Sequence, residues 1–521
     1  MEIIMEKPLF SISLKIIFLG ILDALAIWSI ITIIFDGYYW VGGILSLGVI
    51  IINYIFLSER AYPFRYMVPG LIFLVIMVIY PIFYTIYVSF TNYGTGHILN
   101  KEQAIEQFEN QVYFPKDSVS YTFQAFKNDS GEIKIILFSP EEEAYLCENK
   151  KIIVKVDLSD PRFIDQDKDG IIDQFDNYKK LDKIQIIQSL NELQNLRFKK
   201  DEYIIKLANL TEFIVCNKKY QFDPSLDRLL DLENGKIYHD IEGYFISEDG
   251  ERLTPGFRVK IGFKNFTKLI RSPQISGPFL RVFGWTFLWA FLSVITTFAL
   301  GLTLAIILND PYMKLRKIYR TLLIIPYSIP GFISCLIWCG LFNTEVGIIN
   351  RILNNLFQVI IPWLQHPIWA KVAVVVVNLW LGFPYMMIIT LGALQSIPFE
   401  LGEAAAIDGA SRWQQFKSIT FPLLLVSLAP LLIGSFAFNF NNFNVIYLVT
   451  QGRPAIPGAG TPAGATDILI SYTYRLAFEG ARGNQWGLAS AVSLIIFIII
   501  AVISAIGFHY TRALEEVSKN V

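Results

Sequence analysis

Charged side chains are scarce in this chain of 521 residues. Only 17% of the residues are Asp, Glu, Lys or Arg, whereas a soluble globular protein has about 25%. The mean hydropathy of +0.45 points in the same direction. These values exclude a disordered, fibrous or ordinary cytosolic protein and favour a polytopic membrane protein. The net charge of −1 gives no indication of a nucleic-acid partner.

Two kinds of motif are also absent. The four cysteines form no CxxC pair and have no histidine cluster beside them, which argues against a zinc or redox site. No GxxxxGK[ST] sequence occurs, so the chain does not bind ATP through a P-loop.

Eight apolar windows are long enough to cross a bilayer, which takes about 20 residues. They cover residues 16–35, 37–58, 66–100, 282–309, 321–344, 372–399, 418–452 and 483–511. The first contains Asp23, whose cost of about 2.5–3.5 kcal/mol can be offset by the surrounding Ile, Leu and Phe residues. Apart from Asp23, the window interiors lack Asp, Glu, Lys and Arg. This argues against an ion-coupled transporter and against an anionic substrate.

Short loops rich in Lys and Arg indicate the orientation of the windows. Such residues fall between windows two and three, between four and five, and between six and seven, at 60–65, 314–320 and 412–417. With eight spans, these loops and both termini are cytoplasmic, and the segment between windows three and four is extracytoplasmic. A cleaved secretory signal is an alternative for the first window, but no small-residue cleavage site follows it.

A polar segment, residues 92–276, separates windows three and four and is long enough to bury its own core. Residues 121–126 and 133–138 read as a hairpin, and residues 152–156 alternate like a strand. Apolar residues between 184 and 196 follow a helical spacing. We predict a strand-rich domain with a helical stretch.

Two of the four cysteines, Cys147 and Cys216, lie in this segment. An oxidising compartment permits a disulfide, but the sequence leaves the distance between the two residues open. Cys335 and Cys339 are one helical turn apart in window five and are expected to be small packing residues.

An acidic loop in the same segment has the spacing of calcium ligands. Residues 165–176 carry carboxylates at positions 1, 3, 5, 9 and 12 and Gly at position 6. The candidate ligands are Asp165, Asp167, Asp169, Ile171, Asp173 and Asp176. Asp replaces the usual Glu at position 12, which shortens that ligand. We predict a structural Ca²⁺ here, with a solvated acidic loop as the alternative.

The loop between windows six and seven carries a spaced motif that begins Glu403-Ala404-Ala405. Its small residues let a short helix lie close against another protein, Gly409 can end that helix in a left-handed conformation, and Pro422 suits the start of the next span. The motif resembles the EAA loop of ABC-importer permease subunits, with Phe421 in place of Leu. This resemblance implies that the loop docks into a cleft on an ATPase subunit and transmits ATP-driven closure; an ordinary connector is the alternative. The coupling residues it implies are Glu403, Ala404, Ala405, Gly409, Ile419 and Pro422.

Other segments resemble the maltose/maltodextrin permeases of this family. They are Arg60-Ala-Tyr, Pro69-Gly70, residues 84–93, 380–387 and 435–443, together with the large insert after span three. The resemblance implies an α-helical polytopic membrane protein with about eight transmembrane helices, in the type I ABC importer permease fold. It also implies an immunoglobulin-like insert that contacts a binding protein. The acidic loop has no counterpart in the family.

We therefore expect three parts. Residues 1–91 hold transmembrane helices 1–3, residues 92–276 form the extracytoplasmic (periplasmic) insert, and residues 277–521 form the permease core with helices 4–8 and the coupling loop 401–422. The resemblance implies a multi-pass protein of the cell inner membrane. It implies a second permease subunit (MalG-like), a homodimeric ATPase (MalK-like) that hydrolyses the ATP, and a periplasmic maltose-binding protein. The chain itself is then no enzyme and needs no cofactor in the transport path.

The later windows carry aromatic and amide side chains, whereas the path of an ion transporter would carry charged side chains. Aromatic rings cover the C–H faces of a sugar, while amides and phenols bond its hydroxyls. Prolines and glycines interrupt these helices and expose backbone groups to a cavity. Helix packing is the alternative for each residue. The family's maltose site matches Tyr327, Trp380, Leu381, Gly382, Tyr385, Phe438, Asn439 and Asn442. Gly331 departs from it, since the family site can carry Ser there.

Two other functions stay open from the sequence. One is a permease subunit for another neutral oligosaccharide. The other is a non-transporting membrane sensor with an extracytoplasmic ligand domain. A sensor has no use for an ATPase-docking loop, so co-purification of an ATPase separates it from both importers.

Overall fold

The structure is a computed structural model that describes residues 9–141, 143–148, 152–165, 171–200, 203–310, 312–480 and 483–519. It divides into two compact units, of which the first ends at Tyr87 and the second begins at Val88. The predicted division at 91/92 and 276/277 into three parts stays a prediction.

The first unit is a set of apolar helices. They are α1 (Leu9–Phe35), α2 (Tyr39–Leu57), α3 (Val68–Leu74) and α4 (Tyr80–Ser89). A π-helical turn at Val75–Ile79 joins α3 to α4, so that Val68–Ser89 forms one span. Asp23 of α1 finds a polar partner on α2, because its Oδ1 accepts a hydrogen bond of 2.7 Å from Asn53 Nδ2. This interhelical bond satisfies the carboxyl group that the sequence places inside a span.

Strands dominate the chain between residues 112 and 247. After α5 (Lys101–Glu109), the elements are β1 (Val112–Tyr113), β2 (Ser120–Lys127), β3 (Ile133–Phe138), β4 (Ala144–Glu148), β5 (Ile152–Val156), β6 (Phe163–Ile164), β7 (Gln174–Phe175), β8 (Tyr178–Lys180), α6 (Lys183–Gln188), α7 (Leu190–Gln194), β9 (Arg197–Lys200), β10 (Tyr203–Leu207), β11 (Glu212–Lys218), β12 (Tyr220–Asp223), β13 (Arg228–Asp231), β14 (Ile237–Ile241) and β15 (Tyr244–Ser247). The strand-rich insert is thus confirmed.

The strands form two sheets. The larger follows the order β5-β4-β3-β2-β11-β10-β9, and the smaller follows β12-β13-β14-β15. The predicted hairpin is β2–β3, with Ala125 opposite Ile135. The predicted helical stretch is divided at Ser189 into α6 and α7. Leu193 of α7 is buried while Ile184 of α6 is exposed, so only the second half of the apolar pattern contributes to the core.

The two cysteines of this domain are free thiols. Cys147 lies on β4 and Cys216 on β11, and β3 and β2 lie between these strands. Three strand spacings amount to about 14 Å, whereas a disulfide needs Cα atoms within about 7 Å. A bridge is therefore excluded by the sheet order. Both side chains pack into the core, and burial raises the pKa of Cys147 to about 12.

The rest of the second unit is helical. Its helices are α8 (Lys264–Arg271), α9 (Pro273–Asn309), α10 (Arg316–Ser328), α11 (Gly331–Leu341), α12 (Ile348–Phe357), α13 (Pro367–Ser396), α14 (Phe399–Ile407), α15 (Arg412–Gln415), α16 (Phe421–Phe440), α17 (Phe443–Thr450), α18 (Leu469–Phe478) and α19 (Trp486–Lys519). A π-helical turn at Phe416–Thr420 joins α15 to α16.

The part of the chain that the structure describes holds seven helices that are long and apolar enough to span, and an eighth span if α10 and α11 are counted as one. The predicted fifth span is not straight, since α10 and α11 meet at 90°. Ile329 is extended there, with ψ of 131°, because the following Pro330 disfavours the helical region for the residue before it. The count of about eight spans is confirmed, and the bend is a feature that hydropathy does not report.

Helices α9 and α13 pack with their backbones close together. A Cβ added to Gly301 of α9 would lie 2.7 Å from the backbone N of Met387. A Cβ added to Gly382 of α13 would lie 2.8 Å from Thr297 Cγ2. Glycine at these two positions therefore permits the approach of the two longest described spans.

Candidate functional site

The bend between α10 and α11 carries an exposed aromatic pair. Tyr327 lies two residues before the bend, and Tyr385 lies in the middle of α13. Their rings stack with centroids 6.5 Å apart and an interplanar angle of 20°. Both rings are accessible, so the pair offers aromatic surface beside broken backbone.

Helix α13 brings several of the predicted residues onto one face. Leu381, Gly382 and Tyr385 follow Asn378 at the i+3, i+4 and i+7 positions, which lie on the same side of a helix. Trp380 lies on another side of α13, where its ring meets Trp338 of α11 edge to face at 6.0 Å. The predicted residues of α13 therefore do not all face one point.

A cluster of three amides lies where α16 and α17 are interrupted. Asn378 Nδ2 donates to Asn439 Oδ1 at 3.0 Å, and Asn442 Nδ2 donates to Asn378 Oδ1 at 3.2 Å. Asn442 also caps α17 through its contact with Val445 N. Asn378 was missed by the sequence analysis. Its signal is an amide in an apolar span, seven residues before Tyr385.

Asn439 is held on all sides. It is 5% exposed. Its Nδ2 donates to the carbonyl of Ser435 at 2.8 Å, and its main-chain carbonyl accepts from Trp289 Nε1 at 2.9 Å. Asn442 is half-buried and Phe438 is exposed. Asn439 is thus placed as the anchor of the cluster, while Asn442, Phe438 and the tyrosine pair remain available to a ligand.

The predicted coupling helix is α14, and it ends as the motif predicts. Gly409 has φ of +86°. Ala410 N donates to the carbonyl of Ala405 at 2.9 Å, and Gly409 N donates to that of Ala406 at 3.1 Å. These are the two bonds of a Schellman motif, which only a left-handed residue such as glycine closes without strain.

The segment after this turn starts a new helix at once. Ser411 caps α15 with a reciprocal Ser–Gln414 pair. Ile419 lies in the π-helical turn, and Pro422 lies in the first turn of α16. The result is a short helix, a fixed turn and a second helix that leads directly into the seventh span.

Large apolar side chains are exposed around this turn. Phe399 and Ile407 at the two ends of α14 are 77% and 86% exposed, and Trp413 of α15 is exposed as well. Glu403 and Ala404 also face solvent. A contiguous exposed apolar surface marks an interaction site. Phe399, Ile407 and Trp413 were missed because the spacing of the motif does not include them.

The acidic loop follows β6 and runs through β7 to Asp176, and β6 and β7 pair antiparallel, with Ile164 opposite Gln174. Asp167 and Asp169 lie outside the described residues. Among the residues that are described, no group of three or more His, Cys, Asp or Glu side chains is arranged to hold a metal. The calcium site stays a prediction.

Comparisons with known proteins identify the family of the chain. The family profile "Binding-protein-dependent transport system inner membrane component" matches residues 297–516, and "N-terminal of TM subunit in PBP-dependent ABC transporters" matches residues 72–150. The "Maltose/maltodextrin transport system permease protein MalF" of Vibrio cholerae serotype O1 is 38% identical over 473 residues, which are 89% of this chain and 88% of that protein. The chain belongs to the MalF permease family.

Other members of the MalF family match over similar lengths. The MalF protein of Yersinia pestis is 35% identical over 524 residues, which are 96% of this chain and 94% of that protein. That of Photorhabdus laumondii is 37% identical over 88% of this chain and 89% of that protein. The chain is therefore a transport subunit, the inner-membrane component of a binding-protein-dependent ABC importer. The match at 297–516 includes the bend, the amide cluster and the coupling helix.

Proposed function

We propose that this chain is the permease subunit that moves maltose and maltodextrins across the inner membrane by alternating access. The observation that carries the proposal is the uncharged site made by the tyrosine pair and the three amides. None of these five side chains carries a charge at neutral pH, which suits a neutral sugar. MalF relatives that cover nearly nine-tenths of the chain are named as maltose/maltodextrin permeases.

The proposed site residues divide by the group they offer. Tyr327, Tyr385 and Phe438 offer aromatic surface to the C–H faces of glucose rings, while Trp380 supports the site from another side of α13 through Trp338. Asn442 offers its amide to hydroxyls, and the buried Asn439 and Asn378 hold it in place. Leu381 lies on the same face of α13 as Tyr385, and Gly382 contributes by letting α13 approach Thr297 of α9. Tyr327 and Phe438 are exposed, and we propose that another protein surface covers them.

That covering surface is proposed to be the second, MalG-like permease subunit. The exposed apolar turn around α14 is proposed to dock on a homodimeric MalK-like ATPase, which binds and hydrolyses the ATP. A periplasmic maltose-binding protein delivers the sugar. In this arrangement both termini and the coupling loop 401–422 are cytoplasmic, and the insert 92–276 is periplasmic. The acidic loop 165–176 is proposed to hold a structural Ca²⁺ in that insert.

The test is ATP-dependent uptake of radiolabelled maltose and maltotriose by vesicles that contain this chain, its co-encoded subunits and its binding protein. Saturable uptake that longer maltodextrins compete is the expected result. If neither sugar is taken up and no ATPase is retained on the purified chain, the importer hypothesis would give way to that of a membrane sensor.

A second candidate is an importer of another neutral oligosaccharide. It is favoured by Gly331, which begins α11 at the bend, where a Cβ would have no heavy atom within 4 Å. The family site can carry Ser there, so this chain has open space where a hydroxyl can stand. Uptake of a different disaccharide, without maltose uptake, would favour this candidate.

We expect the substitution Asn378→Leu to reduce maltose uptake by about tenfold. It removes two interhelical hydrogen bonds, which together contribute about 1–2 kcal/mol, while leucine keeps the branched shape of the side chain. The measurement is the initial rate of uptake at saturating binding protein, normalised to the amount of assembled complex. Asn444→Leu is the matched control, because Asn444 is an exposed amide of α17 outside the cluster. Equal rates for the two variants would show that the cluster does not position the sugar.

A further inference from the structure

A cavity of about 250 Å³ lies where the strand domain meets the helical core. Its walls come from residues 91–97, from Tyr244 of β15, from Asn265 and Lys268 of α8, and from residues 483–488 at the start of α19. The coupling helix, the tyrosine pair and the amide cluster do not contribute to it. The cavity is therefore separate from the proposed transport site.

Several polar groups of the cavity wall already have hydrogen-bond partners within the chain. Asn92 Nδ2 donates to the carbonyl of Glu242 at 2.9 Å, and its Oδ1 accepts from Val259 N at 2.8 Å. Asn265 Nδ2 donates to the carbonyls of Ser89 and Thr91. Thr95 accepts from Asn484 N at 2.7 Å. These bonds hold the cavity open without using a ligand.

His97 is the exception in this wall. Its Nε2 is buried and has no hydrogen-bond partner within the described residues. Its ring contacts Tyr244 edge to face, with centroids 4.3 Å apart. Burying a polar nitrogen without a partner costs about 1–3 kcal/mol, so this atom calls for a group that the chain does not supply.

The charge around His97 is positive. Arg252 lies over the Tyr244 ring at 3.8 Å, and the exposed Lys268 lines the cavity with no ion pair among the described side chains. Burial lowers the pKa of His97, and the charges of Arg252 and Lys268 lower it further. Glu242, whose pKa is lowered first by Lys264 and also by Lys268, is itself hydrogen-bonded to Lys264. The charged side chains around the cavity are thus net positive.

A sugar does not suit this cavity. The Tyr244 ring is covered by His97 and Arg252. The Tyr93 ring is covered by Trp486 at 4.7 Å and by Arg258 at 5.1 Å. No aromatic face in this part of the described wall is free to cover the C–H groups of a sugar ring. Positive charge, beside an unpartnered imidazole nitrogen that donates when it carries the ring proton, suits an oxyanion.

We propose that this cavity binds a phosphate group, with Lys268 and His97 Nε2 as donors. The source is either inorganic phosphate or the headgroup of an anionic lipid. A lipid source is geometrically open because the wall continues α4 and begins α19, both of which are spans. A bound phosphate would join the strand domain to the helical core by charge-assisted bonds.

The test is binding of ³²P-orthophosphate to the purified full chain in nanodiscs of phosphatidylcholine, at constant ionic strength. We expect saturable binding at one site, which Lys268→Gln weakens by about tenfold, as expected for one charge-assisted hydrogen bond. Arg271→Gln is the matched control, because it removes one exposed charge from the same helix outside the cavity. Because Lys268 is exposed, the variant is expected to unfold at the same temperature as the parent in the absence of phosphate.

A second set of nanodiscs, with phosphatidylglycerol added, separates the sources. If the anionic lipid suppresses phosphate binding, the headgroup occupies the cavity; if binding is unchanged, inorganic phosphate is the ligand. Both outcomes support the phosphate site. Absence of saturable binding in phosphatidylcholine, or equal weakening by Lys268→Gln and Arg271→Gln, would overturn it.

Discussion

Replacing Glu403 by lysine is expected to abolish ATP-driven uptake while the chain still inserts into the membrane. Glu403 lies exposed on α14, between the exposed Phe399 and Ile407. It does not cap α14, and its exposure places it outside the core of the described residues. Reversing a charge inside a docking surface costs about 2–5 kcal/mol of association free energy, so the ATPase is released. Uptake, ATPase co-purification and the amount of chain in the membrane are the three measurements.

The matched control is Glu59→Lys. Glu59 is also exposed and lies in another predicted cytoplasmic loop, just after α2. It has no place in the coupling motif, so its reversal should leave uptake and ATPase retention near those of the parent chain. Normal uptake by the Glu403→Lys chain, with the ATPase still attached, would show that α14 does not couple.

The features predictable from sequence are those set by local chemistry. A run of about 20 apolar residues has to become a span because backbone groups cannot be left unpaired in lipid. Each predicted window overlaps a span, although the windows 66–100 and 418–452 extend beyond the ends of theirs, at Ser89 and Phe440. The left-handed Gly409 followed from the small-residue spacing of one short helix. The β2–β3 hairpin followed from two alternating segments with a turn between them. None of these depends on a distant part of the chain.

The features that were missed depend on tertiary contacts. The sequence does not distinguish Asn378 from other amides. Its role depends on α16, which places Asn439 Oδ1 3.0 Å from Asn378 Nδ2. The separation of Cys147 from Cys216 follows from the strand order, which composition does not determine. Ile407 looks like a core residue by type and is 86% exposed. In each case the role of the residue depends on its contacts in the folded chain and not on its type alone.

Replacing Arg475 by methionine is expected to lower the free energy of unfolding by about 3 kcal/mol at pH 8, because the buried carboxylate then stays unpaired or has to take up a proton. Asp467 is fully buried and Arg475 is 13% exposed at a distance of 2.8 Å. The same carboxylate accepts from Gly464 N at 2.7 Å and from Ser471 Oγ at 2.8 Å. This pair anchors the loop between α17 and α18. Chemical denaturation of the purified chain in detergent is the measurement.

The pH dependence of that loss identifies its cause. Burial raises the pKa of Asp467 to about 6, and Arg475 opposes the rise. Since the folded pKa lies above the unfolded value of about 3.9, the contribution of this carboxyl to stability is fully present below pH 4 and is lost as the pH rises through 6. Without Arg475 the pKa rises further. The destabilisation should therefore be full at pH 8 and much smaller at pH 5, where the carboxyl is neutral.

A double variant separates charge from packing. Asp467→Asn combined with Arg475→Met removes both charges and keeps an amide, whose oxygen can accept from Gly464 N while its Nδ2 donates to Ser471 Oγ. We expect it to recover most of the stability lost at pH 8, because no buried charge remains. Arg453→Met, at an exposed arginine of the same loop, should have little effect at either pH. A loss that is independent of pH and is not recovered by Asp467→Asn would assign the effect to the packing of the aliphatic stem of Arg475.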